Sequence, residues 1–200
     1  MRVFAVADIH CSYTYTIKAV YKAVETSSDM ILLAGDIECS DIIDEFVDTG
    51  IRVYGVTGNL DDNYIYRYMR SKGILLDGVV EEYRGCLIAG IGGLSLSLNL
   101  NKIKEKLGPS PSKPLIVLSH YPAHGYNDKT FTGEHAGLIE LKNFIDEYKP
   151  ILFVHGHIHE ARGVSRHDKT VIVNPGPLMH GYYSVIDISD SGVEARLERL

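Results

Sequence analysis

Five short apolar runs, Val3 to Ala7, Met30 to Ala34, Ile51 to Val56, Leu115 to Leu118 and Ile151 to Val154, recur along the chain with helix-period stretches between them. Runs of this length, rich in Val, Ile and Leu, suit strands buried on both faces. Their alternation with helices specifies an α/β fold with largely parallel strands. Thr14 to Glu25 reads as a helix with Ile17, Val20, Tyr21 and Val24 on one face, and Ser40 to Asp48 as another with Ile42, Ile43, Phe46 and Val47 inward. Asp61 to Ser71 and Glu134 to Tyr148 are two further helix expectations. From Ile74 to Gly93, and from Thr170 to Leu200, the pattern changes to shorter strands with turns at Asp77-Gly78, Arg84-Gly85 and Ser191-Gly192. These suit antiparallel or mixed-sheet edges, so the expectation is two packed sheets with helices outside.

A chain of 200 residues, 45% of them apolar, is sized for one core, and a single domain over 1–200 is expected. Gly108 to Pro114 has the composition of a linker, but the residues that carry the chemistry fall on both sides of it. No apolar stretch approaches the roughly 18 residues of a membrane span, and Val3 to Ala7 is too short for a secretory leader. A cytoplasmic address with no membrane association is therefore the expectation. A net charge of -6 and the absence of Lys/Arg runs argue against long nucleic acid, while small anionic substrates remain open because bound cations reverse the local sign. Cys11, Cys39 and Cys86 are odd in number and form no C-x-x-C pair, so no disulfide framework is expected. Gln is absent, a faint compositional hint of a heat-loving source.

Each apolar run is followed, at once or within three residues, by a residue able to bind a metal: Asp8, Asp36, Asn59, His120 and His157. In open α/β sheets ligands bind beyond the carboxyl ends of the strands, so this repetition gathers those side chains at one rim. Asp8-Ile9-His10 places two ligand types on one face of an extended chain. Asp36 offers two oxygens, enough to bridge two cations, and Asn59 a neutral hard donor. Gly156-His157-Ile158-His159 is the strongest single signal, because H-x-H on an extended loop serves two ions or clamps one. Taken singly, each motif has a commonplace structural reading; five in succession are harder to dismiss. His155 reads as packing, and His124, His135, His167 and His180 as individually structural. Two divalent cations and two carboxylates leave a net charge of about +2, suited to attracting a phosphate and stabilising bound hydroxide near neutral pH.

The ordered set Asp8-x-His10, Gly35-Asp36, Gly58-Asn59, His120 and Gly156-His157-x-His159 resembles the calcineurin-like metallophosphoesterase superfamily across nearly the whole chain. The stretches Ser119 to Gly125, Gly133 to Gly137, Gly156 to Gly163 and Asn174 to Pro177 resemble its Icc-related predicted phosphoesterase branch. The resemblance implies a four-layer α/β/β/α sandwich with two mixed β-sheets flanked by helices. It implies two divalent ions (Mn, Fe, Ni or Zn), one held by Asp8, His10 and His159 and the other by Asn59, His120 and His157. Asp36 would bridge them and a hydroxide between them would be the nucleophile. It also suggests that Asn59 touches the phosphate, with Arg162 as an additional helper. Many members carry a His after the metal-binding Asn as proton donor, where this chain has Leu60, and some carry an Asp three residues beyond the bridging Asp, where it has Cys39. The leaving oxygen is then left to metal polarisation, water or another group such as His124.

The expected function is hydrolysis of a small phosphodiester, such as a cyclic nucleotide or nucleotide-like ester. The alternatives are a phosphomonoesterase or protein phosphatase and, from another class, a noncatalytic interaction scaffold of the same fold. No G-x-S-x-G elbow supports a Ser-His-Asp hydrolase, and no P-loop or complete G-x-G-x-x-G supports a nucleotide-cofactor enzyme. Oligomeric state is not legible from the sequence.

Overall fold

A computed structural model of the protein describes residues 1–200. The five apolar runs become β1 (Arg2–Val6), β2 (Met30–Ala34), β3 (Arg52–Val56), β6 (Leu115–Ser119) and β7 (Leu152–Val154). Shorter strands complete two sheets: β4 (Val80–Tyr83), β5 (Cys86–Ile91), β8 (Gly163–His167), β9 (Thr170–Asn174), β10 (Tyr182–Ser189) and β11 (Gly192–Arg199). One sheet has the order β11-β10-β1-β2-β3 and the other β4-β5-β6-β7-β9-β8. Parallel pairing joins β1, β2 and β3 in the first and β5, β6, β7 and β9 in the second. The antiparallel strands lie at the margins, as the hairpin signals specify. At the β4–β5 turn Arg84 and Gly85 have φ of 48° and 81°, the left-handed pair that tight two-residue hairpins favour.

Strand alternation produces the layers. On β1, Phe4 and Val6 point to one face, where they meet Ala19 and Ala23 of α1 (Tyr13–Glu25) and Ile42, Ile43 and Phe46 of α2 (Ser40–Val47), with Ile65 and Met69 of α3 (Asn63–Ser71) in the same cluster. Val3, Ala5 and Ala7 point to the other face. They join Met30, Leu32 and Val56 against Ile88, Ile116, Leu118, Leu152, Val154 and Val173 of the second sheet. Behind that sheet, Val117, Phe153 and Ile172 pack on Leu100 and Ile103 of α4 (Leu96–Leu107) and on Leu141, Phe144 and Ile145 of α5 (Ile139–Tyr148). The expected four-layer sandwich thus follows from a period of two read through doubly buried strands.

Three expectations change. The helix expected over Glu134 to Tyr148 begins only at Ile139, because the segment before it is held extended. Asp128 accepts from Gly137 N at 3.1 Å and lies 2.7 Å from His135 Nδ1, and Leu138 N donates to Pro122 O. These partners outcompete local helix formation. Helix α4, whose segment is marked at its start by Gly92-Gly93, was not expected. The disulfide expectation also fails for one pair: Cys11 and Cys39 are bonded, with Cα atoms 5.3 Å apart, while Cys86 is free and buried. Parallel pairing of β1 with β2 brings the loops after both strands together, a proximity that 28 residues of sequence separation hide. No helix is long and apolar enough to cross a membrane.

Beneath the loop that follows β3, Asp77 is buried, 7% exposed, and accepts hydrogen bonds from Thr57 N (3.0 Å) and Thr57 Oγ1 (2.5 Å). Burial pushes its carboxyl up to about 6, against the Thr57 hydrogen bonds that pull it down. A folded-state value above the unfolded one favours the neutral acid in the fold. The associated stability is complete below about pH 4 and is lost as pH rises through about 6. Asp77→Asn, which mimics the neutral acid, is therefore expected to gain stability relative to the unaltered protein between pH 4 and 6.5, by at most about 3 kcal/mol. Urea titrations of the metal-free proteins measure this difference, and a pH-independent gap between them contradicts the assignment.

Candidate metal centre

The loops after β1, β2, β3, β6 and β7 meet at one rim between the sheets. The first two are laced together by backbone hydrogen bonds: Asp8 N to Gly35 O, Ile9 N and His10 N to Asp36 O, and Cys11 N to Ile37 O. Gly156 N donates to His120 O, and His157 N lies 3.0 and 3.1 Å from the two Asp8 carboxylate oxygens. Two glycines make the approach possible. A Cβ at Gly35 (φ +88°) would sit 2.6 Å from His120 Nδ1, and one at Gly58 would overlap the Asp36 carboxylate. Elsewhere the loops carry strain. Six of the eleven non-glycine residues with positive φ are Asp8, His10, Cys11, Asp36, Glu38 and His157, so the strain is concentrated at this rim.

The structure gathers all seven residues singled out as ligands. Asp8, His10 and His159 place one donor atom each within 4.8 Å of one another, and so do Asp8, Asp36 and His120. Asn59 Oδ1 is 2.8 Å from His120 Nε2, and the His157 ring lies 5.0 Å from that of His120. Asp8, Asp36 and His120 are buried, whereas Asn59 is exposed at the mouth.

The donor chemistry fits cations. His120 Nδ1 is 2.9 Å from the Ala34 carbonyl, which only accepts, so Nδ1 carries the proton and Nε2 presents a lone pair. That lone pair faces the Asn59 amide oxygen and, at 3.6 Å, Asp36 Oδ2. His10 repeats the pattern: Nδ1 lies 2.5 Å from Glu38 Oε1, which assigns the proton there and turns the Nε2 lone pair toward His159 Nε2 at 3.4 Å. Around His120 acceptors thus face acceptors beside buried carboxylates, an arrangement that is unfavourable without protons or metal ions.

The electrostatics agree. Burial, with Asp8 and Asp61 nearby, raises Asp36 above the ordinary carboxylate range despite His120 and Leu60 N. Burial alone would raise Asp8 too, but His159, His120 and His157 N hold it below that range. His159 is raised, first by Asp8. Burial, then His120, pushes His157 down to about 4, so its imidazole is neutral at physiological pH and free to donate a lone pair.

Three acidic residues outside the expected set shape the site. Asp61, 3% exposed, accepts from Ile37 N (2.9 Å) and Glu38 N (2.7 Å) through one oxygen and from Gly58 N (2.7 Å) through the other, tying the Asp36 loop to the Asn59 loop. Glu38 backs His10, and its i+2 spacing from Asp36 is the signal that could have found it. Asp128, buried, holds His135, whose ring is 5.0 Å from that of His124. The His124 backbone N donates to Leu138 O. Leu60 is 57% exposed beside Asn59. Arg162 is committed elsewhere, to the carbonyls of Pro175 and Glu198 and to the face of Tyr182. Asn174 donates to Ile158 O and accepts from Gly176 N, bracing the His157–His159 loop. His155, fully buried, has its Nδ1 3.2 Å from Gly156 O, and burial pushes it down to about 4.

A family model described as the calcineurin-like phosphoesterase superfamily domain matches residues 1–190. A UPF0046 protein of Caenorhabditis elegans is 27% identical over 108 residues, 54% of this chain and 36% of the worm protein, so the match spans about a third of that relative's length. Among solved structures, TT1561 of Thermus thermophilus superposes with a TM-score of 0.76 at 18% identity, covering 98% of this chain and 97% of its own. An archaeal phosphodiesterase superposes with a TM-score of 0.62 at 16% identity, covering 100% of both chains.

Asp61 uses both oxygens as acceptors, and an asparagine at that position can supply only one. Asp61→Asn is expected to leave at least one loop N–H facing an amide NH2 and to lower the unfolding free energy of the metal-free protein by about 1–3 kcal/mol. Denaturant titration checks this, and an unchanged midpoint and slope would show that Asp61 does not hold the two loops together.

Proposed function

The chain belongs to the calcineurin-like phosphoesterase superfamily, and from that membership we propose that it is a dinuclear metal-dependent hydrolase of a small phosphodiester, such as a cyclic nucleotide or nucleotide-like ester. The observation that carries the reading is the pair of ligand clusters at one rim, Asp8–His10–His159 and Asp8–Asp36–His120, which share Asp8, with Asn59 Oδ1 facing His120 Nε2. A bound pair of divalent cations supplies polarisation of the phosphoryl oxygens and activation of water near neutral pH. Asp8, His10 and His159 would hold one, Asn59, His120 and His157 the other, with Asp36 available to both. Manganese, iron, nickel and zinc all suit this mixture of oxygen and imidazole donors.

The chain's own side chains set the rest of the chemistry. Leu60 N fixes Asp36 Oδ1 at 2.9 Å, leaving Oδ2 to face the site beside His120. Asn59, which is exposed, would meet a phosphate oxygen as well as a cation. Leu60 cannot donate a proton, so protonation of the leaving oxygen falls to water or to His124, which shares its loop with the Asp128–His135 pair.

Chelator-stripped protein reloaded with Mn, Fe, Ni, Zn or Mg is expected to hydrolyse bis-p-nitrophenyl phosphate faster than p-nitrophenyl phosphate, and a reversed ratio makes it a monoesterase. Metal uptake without turnover of any ester favours the noncatalytic scaffold. Asp36→Asn is expected to remove most of the activity and to weaken metal occupancy, and near-normal turnover at full occupancy excludes Asp36 as the bridge. Loss of a general acid typically costs about 10²- to 10⁴-fold and falls hardest on basic leaving groups. His124→Ala is therefore expected to slow alkyl esters more than activated aryl esters, and equal slowing of both, or none, removes His124 from that role.

A further inference from the structure

We infer that Glu38 is the outer carboxylate of the metal centre: it locks His10 in the tautomer that presents Nε2, and so makes the Asp8–His10–His159 site the tighter of two unlike cation sites. The inference rests on the metal-centre reading above and adds an order of filling and a residue that sets it.

Glu38 reaches His10 across two strained loops. Its Oε1 is 2.5 Å from His10 Nδ1, and both residues hold left-handed backbone, φ +66° and +48°. A side chain with a Cβ occupies that region at a cost of roughly 1–2 kcal/mol, which the surroundings must offset. They do so on both sides. Asp61 grips Glu38 N at 2.7 Å, and the next residue, Cys39, is bonded to Cys11, the neighbour of His10. The contact therefore joins two anchored loops and differs from an ion pair between free surface side chains, which is worth little.

The other imidazoles are supported differently. His120 Nδ1 rests on the neutral carbonyl of Ala34, and His159 faces Asp8, itself a ligand. His10 alone among the four is backed by a carboxylate outside the ligand set. A carboxylate behind a ligating imidazole fixes its tautomer and ring orientation and raises its basicity, and losing such a partner typically costs about 10- to 100-fold in metal affinity. Charge points the same way. Asp8 and Asp36 border both clusters, so the charge that distinguishes the first site is Glu38, which stands behind His10, whereas His120 is backed by the neutral Ala34 carbonyl. The more negative site holds a divalent cation more tightly.

The test is Mn²⁺ binding to chelator-stripped protein, with free Mn²⁺ read by electron paramagnetic resonance. The unaltered protein is expected to bind in two resolved steps. Glu38→Ala should weaken the first step by about 10- to 100-fold and leave the second in place, so that the steps merge. Glu38→Gln, which keeps an acceptor oxygen without the charge, should fall between. Proton–nitrogen spectra of the metal-free protein should contain a His10 Nδ1–H resonance that Glu38→Ala abolishes, a change that loss of packing alone would not single out. Uptake by the unaltered protein with an unchanged Glu38→Ala isotherm overturns the role of Glu38 while sparing the metal centre. Selective weakening of the second step overturns it as well. An unaltered protein that takes up no Mn²⁺ overturns the metal-centre reading and this inference together.

Discussion

Inward-facing lone pairs and buried carboxylates set the terms for this molecule. Around the rim His10 and His120 each spend their only N–H on a partner outside the site, Glu38 and Ala34 respectively, and turn a bare nitrogen inward. There the His120 nitrogen faces carboxylate and amide oxygens, and the His10 nitrogen faces the His159 ring. A folded chain tolerates such an arrangement only if something positive completes it, or if the rest of the structure is stable enough to hold it open. The ligand clusters suit divalent cations, and the apolar clusters of the sandwich run up to the rim at Ala7, Ile9, Ala34 and Ile37, where they hold it in place.

The division of labour between layers and loops explains where strain can be stored. Strands buried on both faces need no special backbone, and β1 and β2 are almost wholly apolar and inaccessible. The loops at their carboxyl ends instead carry left-handed Asp8, His10, Cys11, Asp36 and Glu38. What holds them there is a small set of buried acceptors. Asp61 and Asp77 each satisfy loop N–H groups that regular secondary structure leaves unpaired, and Asp8 does the same for His157 N. The Cys11–Cys39 link closes the same two loops covalently. Carboxylates here serve two purposes, some turned toward the centre and others spent on the backbone that aims them.

Much of this was legible in the sequence because it depends on local pattern. A strand buried on both faces must be a short apolar run, and a residue that ends such a run must lie at the sheet's edge, so Asp8, Asp36, Asn59, His120 and His157 could be assigned to one rim from position alone. Elements whose identity is settled by distant partners were not legible. Glu134 to Leu138 has no local reason to avoid helix and is held extended by Asp128 and Pro122. Cys11 and Cys39 follow no recognised spacing and meet only because β1 pairs with β2.

The sequence by itself determined the layer order, the common rim and the kinds of donor assembled there, because periodicity and residue chemistry are properties of the chain. Only the tertiary structure decided which nitrogen of His10 and of His120 faces inward, which acids brace loops, and that Glu38 stands behind His10. Hydrogen-bond partners tens of residues apart fix those outcomes: Glu38 for His10, Ala34 for His120, Asp61 for the loop that carries Glu38. Partners of that kind do not exist until the sheets have formed and brought the loops within a few ångströms of one another.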